Sequence, residues 1–342
     1  MTISSKQLKK GVFLSVSVSV IAIVMVMLIT QDGFTYRNFS RIRPKYLLLA
    51  SIATLSFWFI KSLKLKILVS GLGSNISLYK ILQIYLASAF VSHVTPSSSG
   101  GLPFQVYFLH REGLALGKTT ALTIIDNMLT FLFLLIITPL FLLYWSSFLN
   151  LEEDIILLFY LAVLLGIIFL IISLVLVFNI KLAHHFINWL TNRDLLKKIF
   201  TAERLERFSE FIESEINYFN EGIELLLKRQ KKYIILVIVY TIFYWILYLA
   251  LAPILLQGLG INVALPSVIL AQLIFNFVQP VIPTPGGSGG AELGFAYLFK
   301  FMVPVQLLGV FIFFWRFFMF YSSLIIGGIY FLHLVKGTSY LE

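Results

Sequence analysis

The stretch T-P-S-S-S-G-G at residues 95–101 returns as T-P-G-G-S-G-G at residues 284–290, and each copy interrupts a long apolar segment. We call these stretches the first tip and the second tip. Proline ends a helix because it has no N–H to donate and its ring clashes with the preceding turn, while glycine allows a tight, irregular backbone. Unpaired backbone groups at membrane depth are tolerated only inside protein or beside a water-filled cavity. The motif therefore predicts two breaks in a membrane-embedded helical path.

The composition indicates an all-α polytopic integral membrane protein. Of the 342 residues, 59% are hydrophobic and 12% are charged, whereas soluble domains carry about 25% charged residues. Several apolar runs approach or exceed the ~20 residues that cross a bilayer core. The chain has no cysteine, and its five histidines are scattered without carboxylate companions. We therefore expect no disulfide, no metal and no cofactor.

The net charge of +10 is explained by membrane topology without a nucleic-acid partner, because Lys and Arg collect on the cytoplasmic side of membrane proteins. If the apolar segment before each tip spanned the membrane completely, residues 179–232 would carry ten Lys and Arg to the outside. If each tip instead turns back to the face it came from, twenty of the 26 Lys and Arg are cytoplasmic and five are outside. We therefore expect a protein of the cell membrane with both termini in the cytoplasm. The second topology also places the acidic loop 151–154 outside.

This topology has six spanning helices and two re-entrant hairpins in one membrane domain, residues 1–342. One hairpin opens to the cytoplasm and the other to the exterior, so two repeats, about 46–145 and about 233–335, are related by inversion. Inverted repeats whose broken helices meet near the midplane are typical of transporters. The predicted spans are 11–30, 46–60, 119–145, 155–178, 233–256 and 305–335, and the hairpin arms are 81–95 with 102–117 and 267–283 with 286–299.

The polar stretch between the repeats contains one amphipathic segment. Residues 201–230 carry apolar side chains three or four positions apart, with glutamates on most of the other faces. This spacing predicts a helix in the cytoplasmic loop 179–232. We expect it to lie against the helical bundle or the lipid headgroups.

Each tip is followed by a predicted helix, which begins at Leu102 in the first half and near Ala291 in the second. A helix N-terminus carries about half a positive charge and free N–H donors. Two such ends at the membrane centre would suit an anionic group such as a lipid phosphate, and close helix packing through small residues is the structural alternative. The candidate residues for substrate binding and transport are Thr95, Pro96, Ser99, Gly100, Gly101, Gln105, Thr284, Pro285, Gly286, Gly287, Ser288 and Gly289.

Three charged residues within the apolar segments complete this candidate site. Asp126, Glu292 and Arg316 would each cost a few kcal/mol if left unpaired at the bilayer centre. We expect Arg316 to pair with Glu292 or Asp126, as a structural salt bridge, or to receive the phosphate of the substrate. His93 and Gln279 precede the two tips and are candidates to line the same cavity.

The second tip lies in P-T-P-G-G-S-G-G-A-E-L at residues 283–293, which resembles the membrane domain of the lysylphosphatidylglycerol synthases, or multiple peptide resistance factors. The first tip lies in T-P-S-S-S-G-G-L-P-F-Q-V-Y at residues 95–107, which is similar to the first-half motif of that family. The matching residues are Ser99, Gly100, Gly101, Pro103, Gln105, Val106 and Tyr107 in the first half, and Pro283, Thr284, Pro285, Gly286, Gly287, Gly289 and Glu292 in the second.

The resemblance implies a flippase-like lipid transporter, which would move an anionic phospholipid, an aminoacyl-phospholipid, or a polyprenyl carrier or glycolipid between leaflets. In the two-domain members a separate cytoplasmic domain transfers the aminoacyl group, and no counterpart is expected here, so we do not expect an enzyme. Two alternatives stay open, a membrane enzyme of phospholipid modification and a non-catalytic partner of a separate lipid synthase. A homo-oligomer also stays open.

Overall fold

A computed structural model describes residues 5–29, 36–145, 153–178 and 202–336. The predicted all-α polytopic architecture is confirmed, since the described regular elements are helices. We number the helices α1 Ser5–Ile29, α2 Tyr36–Phe39, α3 Pro44–Gly71, α4 Leu78–Val94, α5 Gly101–Arg111, α6 Leu116–Trp145, α7 Glu153–Phe178, α8 Ala202–Glu224, α9 Lys231–Gly258, α10 Leu265–Val278, α11 Gly290–Phe299, α12 Val305–Arg316 and α13 Ser322–Lys336.

Five segments of the described residues are long and apolar enough to cross a membrane. They lie in α1, α3, α6 and α9 and in the joined pair α12–α13, and they match five of the six predicted spans. Helix α7 is an apolar helix of 26 residues over the sixth. Helices α4 and α10 are shorter apolar helices, as expected for hairpin arms. Of the predicted loop 151–154, residues 151–152 lie outside the described residues, and Glu153 and Asp154 already belong to α7. Residues 179–201 of the predicted loop 179–232 also lie outside the described residues. The sidedness of the membrane stays a prediction.

Helices α3–α6 and α9–α13 follow the same order at nearly the same spacing, which is 187 residues for the helices before the tips and 189 residues for those after them. The short helices after the tips begin at Gly101 and Gly290, and the next helices begin at Leu116 and Val305, which is 189 residues apart in each case. The spacing is the one that separates the two tips in the sequence. The short helices each begin one residue before the predicted start, because the last glycine of each tip is already helical.

The second span is longer than predicted, and the extra length brings two lysines into the helix. We expected it to end at residue 60, with Lys61 and Lys64 in a cytoplasmic loop, but α3 continues to Gly71. Leu65 and Leu68 on this extension are buried in the apolar cluster of the first half. Because the helix continues, both lysines lie within the bundle, and Lys64 is fully buried.

Helix α8 covers most of the predicted amphipathic segment and packs against the start of α6. The backbone N–H of Gly117 donates to a carboxylate oxygen of Glu215 at 2.6 Å, and Lys118 pairs with Glu221 at 2.7 Å. A Cβ on Gly117 would lie 1.9 Å from the carbonyl oxygen of Glu215. The two helices therefore meet at a spacing that only glycine permits at this position.

Candidate functional site

The two tips adopt the same turn. Ser97 and Ser98 have φ values of 49° and 55°, and the equivalent Gly286 and Gly287 have 61° and 67°. In the first tip the N–H of Ser98 donates to Thr95 at 3.2 Å, and in the second tip the N–H of Gly287 makes the matching bond at 3.0 Å. This left-handed pair suits glycine, so the first tip holds with two serines a conformation that the second tip holds with two glycines.

The tips meet each other inside the protein. Pro96 and Pro285 form a single antiparallel bridge. The second tip is the more enclosed of the two, because a Cβ on Gly286 would lie 2.9 Å from the carbonyl oxygen of His93 and 2.5 Å from the ring of Phe320. Ser97 is exposed. The two breaks in the helical path therefore contact each other at the boundary between the two halves.

A buried ion pair ties the second tip to α12. The Nε atom of Arg316 lies 2.6 Å from Oε1 of Glu292. The Nη2 atom of Arg316 donates to the hydroxyl of Ser288 at 3.3 Å and to the carbonyl of Gly286 at 3.4 Å. Arg316 thus pairs with one of its two expected partners, and its Nη2 atom also binds the second tip.

Helix α1, which lies outside both predicted repeats, contacts this ion pair. The hydroxyl of Ser19 donates to Oε1 of Glu292, and the hydroxyl of Tyr321 donates to Ser19 at 2.8 Å. The other carboxylate oxygen of Glu292 accepts the backbone N–H of Gly289 at 2.7 Å. Each carboxylate oxygen therefore has a donor, as a buried carboxylate requires.

The first half holds a second buried charge cluster. Asp126 on α6 does not pair with Arg316 but with two lysines of α3: Nζ of Lys61 lies 2.6 Å from Oδ2, and Nζ of Lys64 lies 3.0 Å from Oδ1. Lys64 also donates to the hydroxyl of Thr130 at 3.1 Å. The side chain of Lys61 is 14% exposed and that of Lys64 is fully buried. Two cations share one carboxylate, so the cluster has a formal charge of +1.

Both clusters face one cavity of about 290 Å³. Residues from both halves form its wall, so the cavity lies between them. Among the described residues, no group of three His, Asp or Glu side chains could hold a metal. The polar lining residues are Lys61, Ser88, Ser92, His93, Gln105, Asp126, Asn127, Gln279, Arg316 and Ser323, and the aromatic ones are Phe57, Trp58, Tyr85, Tyr244, Tyr248 and Trp315.

The two helix N-termini differ, although both were expected to face a shared cavity. At α11 the side chain of Glu292, the third residue of the helix, accepts the N–H of Gly289 and so occupies the helix end. At α5 the third residue is Pro103, and no partner for the N–H groups of Gly101 and Leu102 occurs among the described residues. Gly101 and Leu102 line the cavity. Only the α5 end is therefore open to an anion from outside the chain.

The structure brings six of the named candidates to the cavity wall. His93 lies there with its Nε2 atom 2.7 Å from the hydroxyl of Ser323. The second tip and Glu292 do not line the cavity. Both contact Arg316, which does line it. The candidates on the wall are His93, Gly101, Gln105, Asp126, Gln279 and Arg316, and those away from it are Thr95, Pro96, Ser99, Gly100, Thr284, Pro285, Gly286, Gly287, Ser288, Gly289 and Glu292.

The sequence alone did not lead us to Lys61, Lys64 or the aromatic residues that line the cavity. The Nζ atoms of Lys61 and Lys64 lie 5.7 and 5.8 Å from the ring centre of Tyr244, which extends the cluster to α9. A usable signal was present, since an intramembrane carboxylate such as Asp126 needs a cation. The two lysines also follow the apolar run at a three-residue spacing, which places both on one face of a continued helix.

The comparisons with known proteins agree with this architecture. The family described as the lysylphosphatidylglycerol synthase TM region matches residues 12–327, which include both tips and both charge clusters. A UPF0104 membrane protein of Archaeoglobus fulgidus is 28% identical over 320 residues, covering 92% of this chain and 93% of that protein. No solved structure matches the chain. The match extends over nearly all of the described helices, and the chain therefore belongs to the lysylphosphatidylglycerol synthase transmembrane-region family.

Proposed function

We propose that the protein is a flippase-like lipid transporter, and that its central cavity binds the anionic headgroup of the lipid. The observation that carries the proposal is the charge of the cavity region, where three cationic side chains accompany two carboxylates. Arg316 and Glu292 neutralise each other, while Lys61 and Lys64 share Asp126. An uncompensated charge is costly in a low-dielectric interior. A lipid phosphate would relieve that cost.

Lys61 is the residue that we assign to the headgroup. It lines the cavity and is partly exposed, whereas Lys64 is fully buried and does not line the cavity. When a phosphate draws Lys61 away, Lys64 keeps Asp126 paired, so no carboxylate is left alone. The open N-terminus of α5 contributes the donors of Gly101 and Leu102.

The translocation step follows from the position of the cavity between the halves. Alternating access in inverted-repeat transporters exposes one central site to each side in turn. The Pro96–Pro285 bridge joins the two tips where such a motion would separate or slide them. The acyl chains remain in apolar surroundings while the headgroup crosses a polar cavity.

A flipping assay tests the proposal. Purified protein is reconstituted in liposomes with tail-labelled fluorescent phosphatidylglycerol, and dithionite added outside reports the rate at which label reaches the outer leaflet. We expect the wild type to exceed protein-free liposomes and Lys61→Gln to be at least about 10-fold slower, which corresponds to about 1.4 kcal/mol. Lys80→Gln is the matched control, because Lys80 forms a half-exposed ion pair with Glu112 away from the cavity.

Two results would overturn the proposal. Wild-type protein that moves label no faster than protein-free liposomes would exclude unaided transport and favour a partner of a separate synthase. Equal rates for Lys61→Gln and Lys80→Gln would remove the assigned headgroup contact. Chemical conversion of the lipid in the same vesicles, detected by mass spectrometry, would favour the modifying enzyme instead.

A further inference from the structure

A second, apolar recess adjoins the charged cavity. It lies on the membrane-facing side between α3, α4, α9 and α13 and has a volume of about 720 Å³. We call it the lateral groove. Its lining is aliphatic and aromatic apart from the hydroxyls of Ser56 and Tyr330. A volume in this range is typical of sites that enclose a small ligand.

The lateral groove and the charged cavity share a wall. Trp58 lines both, and its side chain is buried. Phe57, the preceding residue, lines only the charged cavity, and its ring centre lies 5.9 Å from that of Tyr248. Leu86 lines only the lateral groove and belongs to the same apolar cluster as Phe57 and Trp58. A polar compartment and an apolar compartment therefore meet at one indole ring.

The outer edge of the lateral groove is open to the surroundings of the helices. Leu55 and Phe59, one turn apart on α3, are 57% and 48% exposed. A lipid has one polar end and an apolar chain, and a site for it needs both kinds of surface within the length of one molecule. We propose that the lateral groove holds an acyl chain of the lipid whose headgroup occupies the charged cavity, with Trp58 at the junction. This inference rests on the proposed function.

Photolabelling tests this occupancy. Phosphatidylglycerol with a diazirine on one acyl chain, and phosphatidylcholine with the same chain, are reconstituted with the protein at equal mole fractions. After irradiation, labelled peptides are mapped by mass spectrometry. We expect phosphatidylglycerol to label the α3 and α4 residues of the groove at least about 5-fold more than phosphatidylcholine, because its headgroup anchors the chain.

Variants that fill the groove provide the matched comparison. Ser56→Trp places an indole in the groove, while Ile52→Trp places one on the exposed face of α3, one turn away and outside it. Ile326→Trp and its exposed neighbour Ile325→Trp repeat the comparison on α13. We expect the groove variants to lose labelling and transport while the exposed variants keep both. All four must retain the wild-type Tm and elution volume, and the α13 pair serves if Ser56→Trp does not fold.

The outcomes separate the groove from the transport proposal. Equal labelling by the two lipids would mean that the groove holds bulk lipid and would overturn the inference. Undiminished labelling and transport in both groove variants would do the same. If the wild type labels selectively and the groove variants lose the label, but no lipid is moved, the groove assignment stands and the transport proposal fails.

Discussion

Arg316 and Glu292 lie 24 residues apart in sequence and 2.6 Å apart in space, and they fasten α12 to the first turn of α11. The guanidinium also reaches the backbone of the second tip at Gly286. One ion pair therefore holds the second tip, α11 and α12 in one arrangement. The pair is fully buried, so the loss of either member leaves a charge without a partner.

We expect Glu292→Ala to destabilise the protein by about 3–5 kcal/mol, the usual result of breaking a buried pair from one side. We expect a lower Tm in detergent, measured by differential scanning fluorimetry. In the double variant Glu292→Leu with Arg316→Met we expect most of that loss to be recovered, because no charge is left unpaired. A double variant that is no more stable than Glu292→Ala would contradict this account.

A substitution of Lys64 tests how the two lysines share the carboxylate of Asp126. In Lys64→Gln the carboxylate keeps Lys61 at 2.6 Å, so we expect a small change in Tm. Transport should nevertheless fall by about 10-fold, since Lys61 then has no substitute when a phosphate competes for it. Lys64→Arg, which retains the charge, should transport faster than Lys64→Gln. Wild-type flipping by Lys64→Gln in liposomes would show that the second lysine is merely structural.

The tips should respond differently to changes at equivalent positions. Gly286→Ala combines positive φ with a contact 2.9 Å from the carbonyl oxygen of His93, and we expect a loss of about 2 kcal/mol or more. Ser97→Gly relieves the cost of positive φ but adds chain entropy, so we expect a change below about 1 kcal/mol. Tm values of both variants in the same detergent check this, and a Ser97→Gly variant as unstable as Gly286→Ala would refute it.

Cysteine labelling tests the predicted inversion in this cysteine-free chain. Asn75 and Asn262 are exposed in the equivalent loops after α3 and α9. Asn75→Cys should react with an impermeant maleimide only from the cytoplasm, and Asn262→Cys only from outside. Ser98→Cys at the exposed first tip should react from the cytoplasm through the hairpin opening. Reaction of Asn75→Cys and Asn262→Cys from the same side would exclude the inverted topology.

The helical class and the positions of the breaks could be predicted because they depend on local chemistry. Apolar length indicates a span, and the Pro and Gly residues of each tip predict where a helix stops and where the next begins. The starts at Gly101 and Gly290 accordingly lie within one residue of expectation. The choice between Glu292 and Asp126 as the partner of Arg316 could not be made, since both spacings are compatible with pairing until the helices are packed.

The partners of Asp126 escaped prediction for a different reason. We expected the second span to end before Lys61, because two lysines three residues apart resemble the start of a polar loop. The helix continues because Leu65 and Leu68 beyond them are buried, and the lysines are matched by a carboxylate that lies 65 residues after Lys61 in the chain. A lysine at the end of an apolar run is therefore assigned to a span only when its partner is sought elsewhere in the chain.

The difference between Pro103 and Glu292 bears on inhibitor design. The carboxylate of Glu292 is tethered to the helix that it caps, so its effective concentration at that helix end is of the millimolar order or higher. A soluble competitor would have to displace a group that never diffuses away. At the α5 end the third helical residue is Pro103, and no tethered anion among the described residues occupies the helix end. A small molecule with one anionic group and a short apolar arm should therefore bind at α5 and not at α11, and its affinity should weaken as salt screens the charge.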